Sequence, residues 1–313
     1  VVLRHDLALA HDVLKAQVGG VHVQHVGEFV DGALHGKLAL GGTVAAIRAA
    51  AVSVGVDGVP AKAARLHVVV DGQALVTRKA DRRGGVLAIR TGIGQPKRRF
   101  TIAGQSYPQP SPYDRLILEN LVRYQNEEVA IVAAETEEAA DKALKLIKVD
   151  YEVLEPLLDF TQALDNDIVV HPEGDVTFMF PQGGDVSRNL VCSGTSDYGD
   201  LDEAFAQSDI VFSRTYTSQA TQTAPMETFR AFATTDAFGR ISVTTSTQVP
   251  FHVRRMVAQS LDIPQSQVQV IKPRIGGGFG SKQTGCCEIF VAFVTQQTGR
   301  PSYCCYTLSL IHI

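Results

Sequence analysis

The chain has 313 residues, of which 45% are hydrophobic and 20% are charged, an ordinary globular composition with length for about two domains. Its net charge of -4 excludes the basic footprint of a protein that binds nucleic acid or anionic membranes. No apolar run approaches the roughly 18 residues that span a bilayer, and no charged-then-apolar signal peptide opens the sequence, so a cytoplasmic protein is expected.

The five cysteines form no CxxC pair, which favours reduced thiols in a cytoplasmic protein over a disulfide framework. Two adjacent pairs occur among them, and neighbouring side chains rarely ligate one metal ion together. Packing in the core is therefore the predicted role of both pairs. The cysteines are Cys192, Cys286, Cys287, Cys304 and Cys305.

Residues 1–97 differ in composition from the rest of the chain. They contain one aromatic residue, Phe29, and six of the nine histidines. "LHVVVDG" and "GGVLAIRTG" are typical of strands, and "GTVAAIRAAAVSVGV" is typical of a helix. Because aromatic side chains that could fill a core are so few, poor order is expected. Two interpretations stay open: an alanine-rich α/β segment, or a stretch that is not the natural product of the gene.

A compact α+β unit is predicted over residues 98–159. It opens with a proline-rich stretch that favours an extended loop. "VRYQNEEVAIVAAE" predicts a strand, a turn and a buried strand. "TEEAADKALKLIKVDYEVL" predicts a helix with Thr136 as its N-cap, followed by a strand. Residues 160–188, rich in proline and glycine, are predicted to form a linker.

A second unit is predicted from residue 189. "GDLDEAFAQSD" indicates a short helix, and "IVFSRTYTSQ" alternates as a strand would. "FRAFATTDAFGRISVTTSTQ" predicts a hairpin with Gly239 in its turn. Pro250 begins the predicted helix "PFHVRRMVAQSLDI", and "SQVQVIKPRI" predicts a strand. "TGCCEIFVAFVTQQTGR" predicts a largely apolar helix that Gly299 and Pro301 end.

The stretch "KPRIGGGFGSKQ", residues 272–283, joins that strand to that apolar helix. Main-chain N–H groups at a helix start bind anions, and glycines let the backbone approach a ligand closely. An anion near residues 276–280 is therefore expected. The dinucleotide motif GxGxxG fails at Ser281, and the P-loop motif fails at Ser281 and Gln283. A plain strand-to-helix turn remains the alternative.

The glycine stretch "IGGGFGSKQ" resembles the molybdopterin-binding loop of the xanthine dehydrogenase and aldehyde oxidase family. Other stretches resemble the family in order and spacing: "SPYDRLILENLVRYQNEEVAIVAAETEEAADKALKLIKVDYEVLEP", "APMETFRAFA", "TSTQVPFHVRRMVAQSLDIPQSQVQV" and "VTQQTGRPSYCCYT". The likeness is nearest to the separate molybdenum-binding subunit of bacterial xanthine dehydrogenases.

The resemblance implies a fold and a division into domains. It implies an α+β chain with an a/b hammerhead-like domain, partial, at residues 98–159. After the linker at 160–188, the first part of a molybdopterin-binding domain is expected at 189–307. Residues 1–97 stay unassigned, and the tail at 308–313 does not continue the family pattern.

The resemblance also implies which residues hold a cofactor. Gly277, Gly278, Phe279 and Gly280 would surround a molybdopterin that carries molybdenum, expected as the cytosine dinucleotide form. Phe279 would lie beside the metal and help to exclude water. Gln248 would hydrogen-bond an oxo ligand of the metal, which is held through the pterin sulfurs and needs no direct protein ligand.

Gln283 stands where animal members of the family carry a glutamate that helps to hold the purine. A neutral amide can hydrogen-bond a purine edge, but it cannot stabilise charge. Met226 and Glu227 are predicted to be structural. Lys282 is expected either to offset phosphate charge or to be solvated.

Two histidines near these motifs are predicted to have no chemical role. His171 and His252 are expected to be surface histidines or buried ones with satisfied hydrogen bonds. A lone histidine in such a context is more often structural than catalytic.

The resemblance implies the activity of a xanthine dehydrogenase, in which a purine is hydroxylated with water as the oxygen source. Electrons would leave through a [2Fe–2S] subunit and an FAD subunit to NAD. The alternatives are an aldehyde oxidase, a carbon monoxide dehydrogenase or another molybdenum hydroxylase, and a non-enzymatic anion- or nucleotide-binding module. A general-base glutamate is expected beyond the C-terminus, so this chain is expected to be a truncated fragment, inactive alone.

Overall fold

The computed structural model describes residues 45–51, 64–70, 86–90, 95–102, 107, 109, 111–124, 127–134, 136–144, 147–180, 182–196, 198–219 and 221–307. The predicted tail at 308–313 lies outside these described residues. Within them the chain is mixed helix and strand, which confirms the α+β class.

The described residues contain ten strands and four helices, joined in places by short 3-10 turns. The strands are β1 (Ala45–Ala51), β2 (Ala64–Val70), β3 (Val86–Arg90), β4 (Leu121–Val122), β5 (Glu128–Ala134), β6 (Ile147–Val153), β7 (Arg230–Thr235), β8 (Ile241–Thr245), β9 (Val268–Ile271) and β10 (Ser302–Cys305). The helices are α1 (Glu137–Leu144), α2 (Leu201–Ala206), α3 (Pro250–Ser260) and α4 (Glu288–Thr298).

These strands form two sheets in the described part of the chain. The larger has the order β3-β5-β1-β10-β7-β8-β9, and the smaller has the order β4-β2-β6. In the larger sheet β1 is parallel to β10 and β8 is parallel to β9, whereas the other pairs are antiparallel. Strands from both predicted units therefore share one sheet.

Three strands fall within the segment 1–97, and each pairs with a later strand. β2 and β3 confirm the two predicted strands, but β1 occupies the stretch for which a helix was predicted, and that prediction is wrong. β1 pairs with β5 on one side and β10 on the other, and this pairing outweighs the helix propensity of its alanines. Most of 1–97 lies outside the described residues, so the expectation of poor order there stays a prediction.

The hairpin β7–β8 and the helices α3 and α4 carry the surroundings of the glycine loop. The Asp236 carboxylate accepts from the main-chain N–H groups of Phe238 and Arg240, both at 2.9 Å, and Gly239 has a φ of 78°, which confirms the predicted turn. Pro250 begins α3, as predicted. α4 is buried from Glu288 to Thr295 and packs on β7, β8 and β10, so the loop before it is fixed to the sheet.

Residues 210–219 correct another prediction. This stretch, "IVFSRTYTSQ", is exposed and is not a strand, because no strand among the described residues pairs with it. The short helix before it is confirmed as α2, whose N-cap Asp200 accepts from the Glu203 N–H at 2.9 Å.

The longest helices in the described ranges have 11 residues, and none is long and apolar enough to cross a bilayer. The five cysteines are free thiols; Cys287 and Cys304 are buried, Cys286 and Cys305 are half-buried, and Cys192 is exposed.

Candidate functional site

The glycine loop runs from the end of β9 to a 3-10 turn, residues Ser281–Gln283, that precedes α4. Gly277 and Gly280 have φ values of 105° and 92°, which only glycine adopts readily. Phe279 between them has a φ of 49°, a conformation that is strained for a bulky side chain. Ala224, with a φ of 43°, is the other apolar residue in this state among those described. Such strain is concentrated at functional sites in proteins.

Three consecutive main-chain amides in the loop have no hydrogen-bond partner among the described residues. The N–H groups of Gly277, Gly278 and Phe279 donate to no acceptor in the described part of the chain. By contrast, the Gly276 N–H donates to Glu227 at 2.5 Å and the Gly280 N–H donates to Gln248 at 3.2 Å. A turn of successive free amides is a concavity suited to an anion or to carbonyl oxygens.

Gln248 lies against this loop. Its main-chain N–H donates to the Lys282 carbonyl at 2.9 Å, and its side-chain Oε1 accepts from the Gly280 N–H. A Cβ atom on Gly278 would lie 2.6 Å from Oε1, so this position must be glycine for Gln248 to lie here. Because Oε1 is used on the loop, the side-chain NH2 of Gln248 remains as a donor.

Glu227 and Lys282 form an ion pair beneath the loop, with Lys282 Nζ 2.8 Å from Glu227 Oε2. The Lys282 side chain is 1% exposed, so the prediction that it is solvated is wrong, whereas the prediction that it offsets phosphate charge stays a prediction. Ser246 Oγ also donates to Glu227 Oε2, at 2.6 Å, and accepts from Lys282 Nζ at 3.0 Å. Burial raises the pKa of Glu227, but hydrogen bonds from Lys282, Ser246 and Gly276 outweigh it and hold that pKa below its usual value.

The prediction that Met226 and Glu227 are structural fits Glu227 but not Met226. Glu227 belongs to a hydrogen-bonded network, as expected, whereas the Met226 side chain is 93% exposed and is not part of the core. Met226 follows the strained Ala224 at the edge of the loop, where Pro225 is the residue that approaches Gly277.

A second carboxylate, which the sequence did not predict, is buried just after the loop and holds the chain there. Glu288 accepts from the Thr245 hydroxyl at 2.8 Å and from the Cys286 N–H at 2.7 Å. Burial raises the pKa of Glu288, although these hydrogen bonds oppose the shift. Gly285 lies against Met256 of α3, which leaves no room for a Cβ atom. The isolated position of Glu288 at the start of an otherwise apolar helix is the only sequence signal that points to it.

Three further residues that the sequence singled out differ in how far they are buried. Phe279 is 76% exposed, and Gln283 is half-buried in the 3-10 turn, where its N–H donates to the Gly280 carbonyl at 3.2 Å. His252 is a buried histidine with satisfied bonds, as predicted, since its ring contacts Gln109 Nε2 at 2.8 Å and the Ile102 carbonyl at 3.1 Å.

Comparison with known protein families gives two matches. A model described as the aldehyde oxidase and xanthine dehydrogenase a/b hammerhead domain matches residues 72–155. A model described as the molybdopterin cofactor-binding domain matches residues 184–310. The glycine loop, Gln248 and Glu227 all fall within the second match.

Individual relatives agree with these matches. The chain is 39% identical over 262 residues, 75% of its length, to the "Probable hypoxanthine oxidase XdhD" of Escherichia coli O157:H7. It is 34% identical over 220 residues, 69% of its length, to the xanthine dehydrogenase molybdenum-binding subunit of the same organism. The chain spans 27% of the length of each of these relatives.

A solved structure has the same fold over most of the chain. Quinoline 2-oxidoreductase from Pseudomonas putida 86 superposes with a TM-score of 0.55 and 25% sequence identity. The match covers 83% of this chain and 30% of that one.

Proposed function

Because this chain belongs to the aldehyde oxidase and xanthine dehydrogenase family of molybdopterin-binding proteins, we propose that it is part of the molybdenum-binding subunit of a purine hydroxylase. Its loop residues 277–280 and the side chain of Gln248 hold the molybdopterin in this proposal. In the same proposal the hammerhead domain lies at 98–159 and the first part of the pterin-binding domain at 189–307.

The free amides at Gly277, Gly278 and Phe279 carry the proposal. A pterin with its phosphate tail presents carbonyl, ring-nitrogen and phosphate oxygen acceptors, and three adjacent N–H donors suit such a ligand. The side-chain NH2 of Gln248 adds a fourth donor beside them. A Cβ atom on Gly278 would displace Gln248, so the position of this fourth donor depends on a glycine at 278.

A molybdenum-bearing pterin, when bound, supplies oxidative hydroxylation of an electron-poor carbon with water as the source of oxygen. The residues of this chain bind and orient it. The loop amides would hold the pterin, and the side-chain NH2 of Gln248 would donate a hydrogen bond to the bound cofactor. The ring of Phe279, which is 76% exposed at the loop, would help to keep bulk water from the bound cofactor.

The names of the relatives support a nitrogen heteroaromatic substrate, since hypoxanthine, xanthine and quinoline are all of this class. A purine is the first choice, with Gln283 donating to or accepting from its edge. Aldehydes and carbon monoxide are the alternatives. Electrons leave through FAD and [2Fe–2S] partner subunits, and the cofactor is the cytosine dinucleotide form.

The first test is made on the native protein that contains this chain, purified with whatever subunits accompany it. Molybdenum is measured by mass spectrometry and pterin by the fluorescence of its oxidised form. Dye reduction is then assayed with hypoxanthine, xanthine, an aldehyde and carbon monoxide. We expect about one molybdenum per chain and reduction with a purine. Protein without molybdenum or pterin would refute the proposal, and reduction with an aldehyde or carbon monoxide alone would refute the choice of purine.

Two substitutions test the site. Gln248→Ala should lower turnover by roughly 10- to 100-fold with folding intact, because a donor beside the metal is lost. Gly278→Ala should lower the molybdenum content, since its new Cβ atom meets Gln248 Oε1. Gly194→Ala is the matched control, because nothing lies within 4 Å of a Cβ atom at that position. Unchanged turnover in Gln248→Ala would count against its place at the metal.

A further inference from the structure

We infer that Glu227, Lys282 and Ser246 form a clamp that joins the two ends of the glycine loop and thereby sets the positions of its free amides and of Gln248. These three residues are called the loop clamp below. They are positioning residues and do not touch the cofactor themselves. The inference rests on the proposed function for the identity of the ligand, but the clamp itself is a property of this chain.

The loop clamp holds the first end of the loop through Glu227. One oxygen, Oε2, accepts from the Gly276 N–H at 2.5 Å, from Ser246 Oγ at 2.6 Å and from Lys282 Nζ at 2.8 Å. A Cβ atom on Gly276 would lie 2.8 Å from the Glu227 Cβ, so the backbone approaches this side chain as closely as glycine permits. The first free amide, that of Gly277, is the next residue along the chain.

Lys282 holds the second end of the loop with both its side chain and its backbone. Its ammonium donates to Glu227 and to Ser246. Its carbonyl accepts from the Gln248 N–H at 2.9 Å and from the Thr247 hydroxyl at 3.3 Å. Residues 276 and 282 are thus connected through one carboxylate, and Gln248 is fixed to the same lysine whose charge closes the clamp.

The burial of the pair indicates why it is charged. The Lys282 side chain is 1% exposed and that of Glu227 is 21% exposed, so folding removes water from the lysine ammonium group. A neutral core would be an easier way to fill the space. An ionised carboxylate accepts several donors at once at short distance, which a neutral side chain cannot do. Charge at Glu227 is therefore the feature that brings Gly276, Ser246 and Lys282 to one point.

Four variants test separately the charge of the loop clamp, the length of its carboxylate side chain and the stability of the fold. Glu227→Gln keeps the shape but leaves the Lys282 ammonium unpaired, and Lys282→Met keeps the apolar stem without the ammonium. The double variant E227Q/K282M restores neutrality and so protects the fold, while the link between the two loop ends is gone. Glu227→Asp keeps both charges but is one methylene shorter. Asp165→Asn is the control, because it breaks an exposed ion pair, to Arg188 at 2.6 Å, remote in sequence from the loop.

Two readouts are used on the native protein that contains this chain. The first is the half-time of molybdenum and pterin loss during repeated gel filtration, which should be roughly tenfold shorter in E227Q/K282M, the usual scale for residues that support a site from behind. The second is trypsin cleavage after the exposed Arg274 in cofactor-free protein, which should be faster in the same variant. Asp165→Asn should match the wild type in both.

The outcomes distinguish a failure of the loop clamp from a failure of the proposed function. A folded E227Q/K282M protein that retains cofactor and resists trypsin like the wild type would overturn the clamp. Wild-type protein without molybdenum or pterin would overturn the proposed function, and trypsin cleavage would still decide whether the loop ends are joined. If the double variant does not fold, Glu227→Asp takes its place, and wild-type behaviour in both readouts would again overturn the clamp.

Discussion

Two clusters of charged side chains, each built around a buried cation, differ in what surrounds them. In the loop clamp, Lys282, Glu227 and Ser246 satisfy one another, and the main-chain amides of residues 277–279 donate to no acceptor in the described part of the chain. The other cluster, called the arginine cluster, lies between the segment 98–123 and the linker. It comprises Arg99, Glu119, Arg123, Glu173 and Asp175, with His171 and Asp114 at its edge.

The arginines of the arginine cluster donate to carboxylates and main-chain carbonyls of the fold itself. Arg99 contacts Glu119 at 2.8 Å and Asp175 at 2.7 Å, and it donates to the Asp114 carbonyl at 3.0 Å. Arg123 donates to the Val170 carbonyl of the linker at 3.1 Å. These bonds join stretches of chain that are distant in sequence. The same kind of ion pair thus joins distant stretches of chain in one place and, in the other, holds the two ends of the glycine loop that we propose binds the cofactor.

The largest expected effect comes from breaking the arginine cluster. Arg99→Met leaves Glu119, 7% exposed, as a buried carboxylate without its closest cation, so the free energy of unfolding should fall by about 3–5 kcal/mol. Urea denaturation of the native protein measures this. Molybdenum bound per folded chain should not change, which is what separates this cluster from the loop clamp.

Arg188→Met is the matched control for Arg99→Met. It removes an arginine whose ion pair with Asp165 is about half exposed, and its unfolding should match the wild type. Equal effects of the two substitutions would show that burial does not distinguish these pairs.

A pH titration sharpens the comparison at His171. Burial, reinforced by the positive charges of Arg123, Arg99 and Arg115, lowers the pKa of His171 to about 3. The unfolded chain takes up this proton near pH 6.5 and the folded chain does not, so stability is present above pH 6.5 and falls as the pH drops from there toward about 3. His171→Asn should therefore flatten the pH dependence of unfolding, by up to about 1.4 kcal/mol per pH unit.

The measurement for His171 is the difference between variant and wild type at pH 7.5, 6 and 5. Other buried groups titrate in both proteins and cancel in that difference. Among them is Glu127, whose pKa burial raises to about 7. Parallel pH profiles for His171→Asn and wild type would mean that the histidine takes up its proton in the folded state.

Local signals in the sequence predicted much of the region around the site. Gly239 and its neighbours predicted the β7–β8 turn, Pro250 predicted the start of α3, and the apolar run after the loop predicted α4. The glycine motif predicted a ligand at residues 276–280, which stays a prediction. The family resemblance placed Gln248 at the same site, and the structure brings its side chain against the loop. For the turn and the two helices the signal lies within a few residues of the feature.

Features that depend on distant partners could not be predicted in this way. Lys282 is an exposed residue type by composition, and its burial follows only from Glu227, 55 residues earlier in the chain. The alanine-rich stretch at Ala45–Ala51 has helix propensity, yet it is a strand because β5 and β10 flank it. Conversely, residues 210–219 alternate as a strand does but find no partner among the described residues.

The smallest expected effect concerns the strain that the loop carries at Phe279. This residue holds a left-handed backbone, and its ring is 76% exposed, so the ring contributes little burial to the fold. Phe279→Gly should relieve the strain and stabilise cofactor-free protein by about 0.5–1 kcal/mol, after the entropy that glycine loses on folding is subtracted. Thermal unfolding of the cofactor-free protein measures it.

Phe279→Ala is the control that makes this test specific, because alanine keeps the Cβ atom and with it the strain. Its stability should stay near that of the wild type, while both variants lose the ring and so lower turnover. Stabilisation by glycine alone would mean that the loop keeps an unfavourable backbone for the sake of an aromatic ring that the fold does not bury. Equal stability of the two variants would mean instead that the backbone at this point is relaxed, and that the ring has been placed there at no conformational cost.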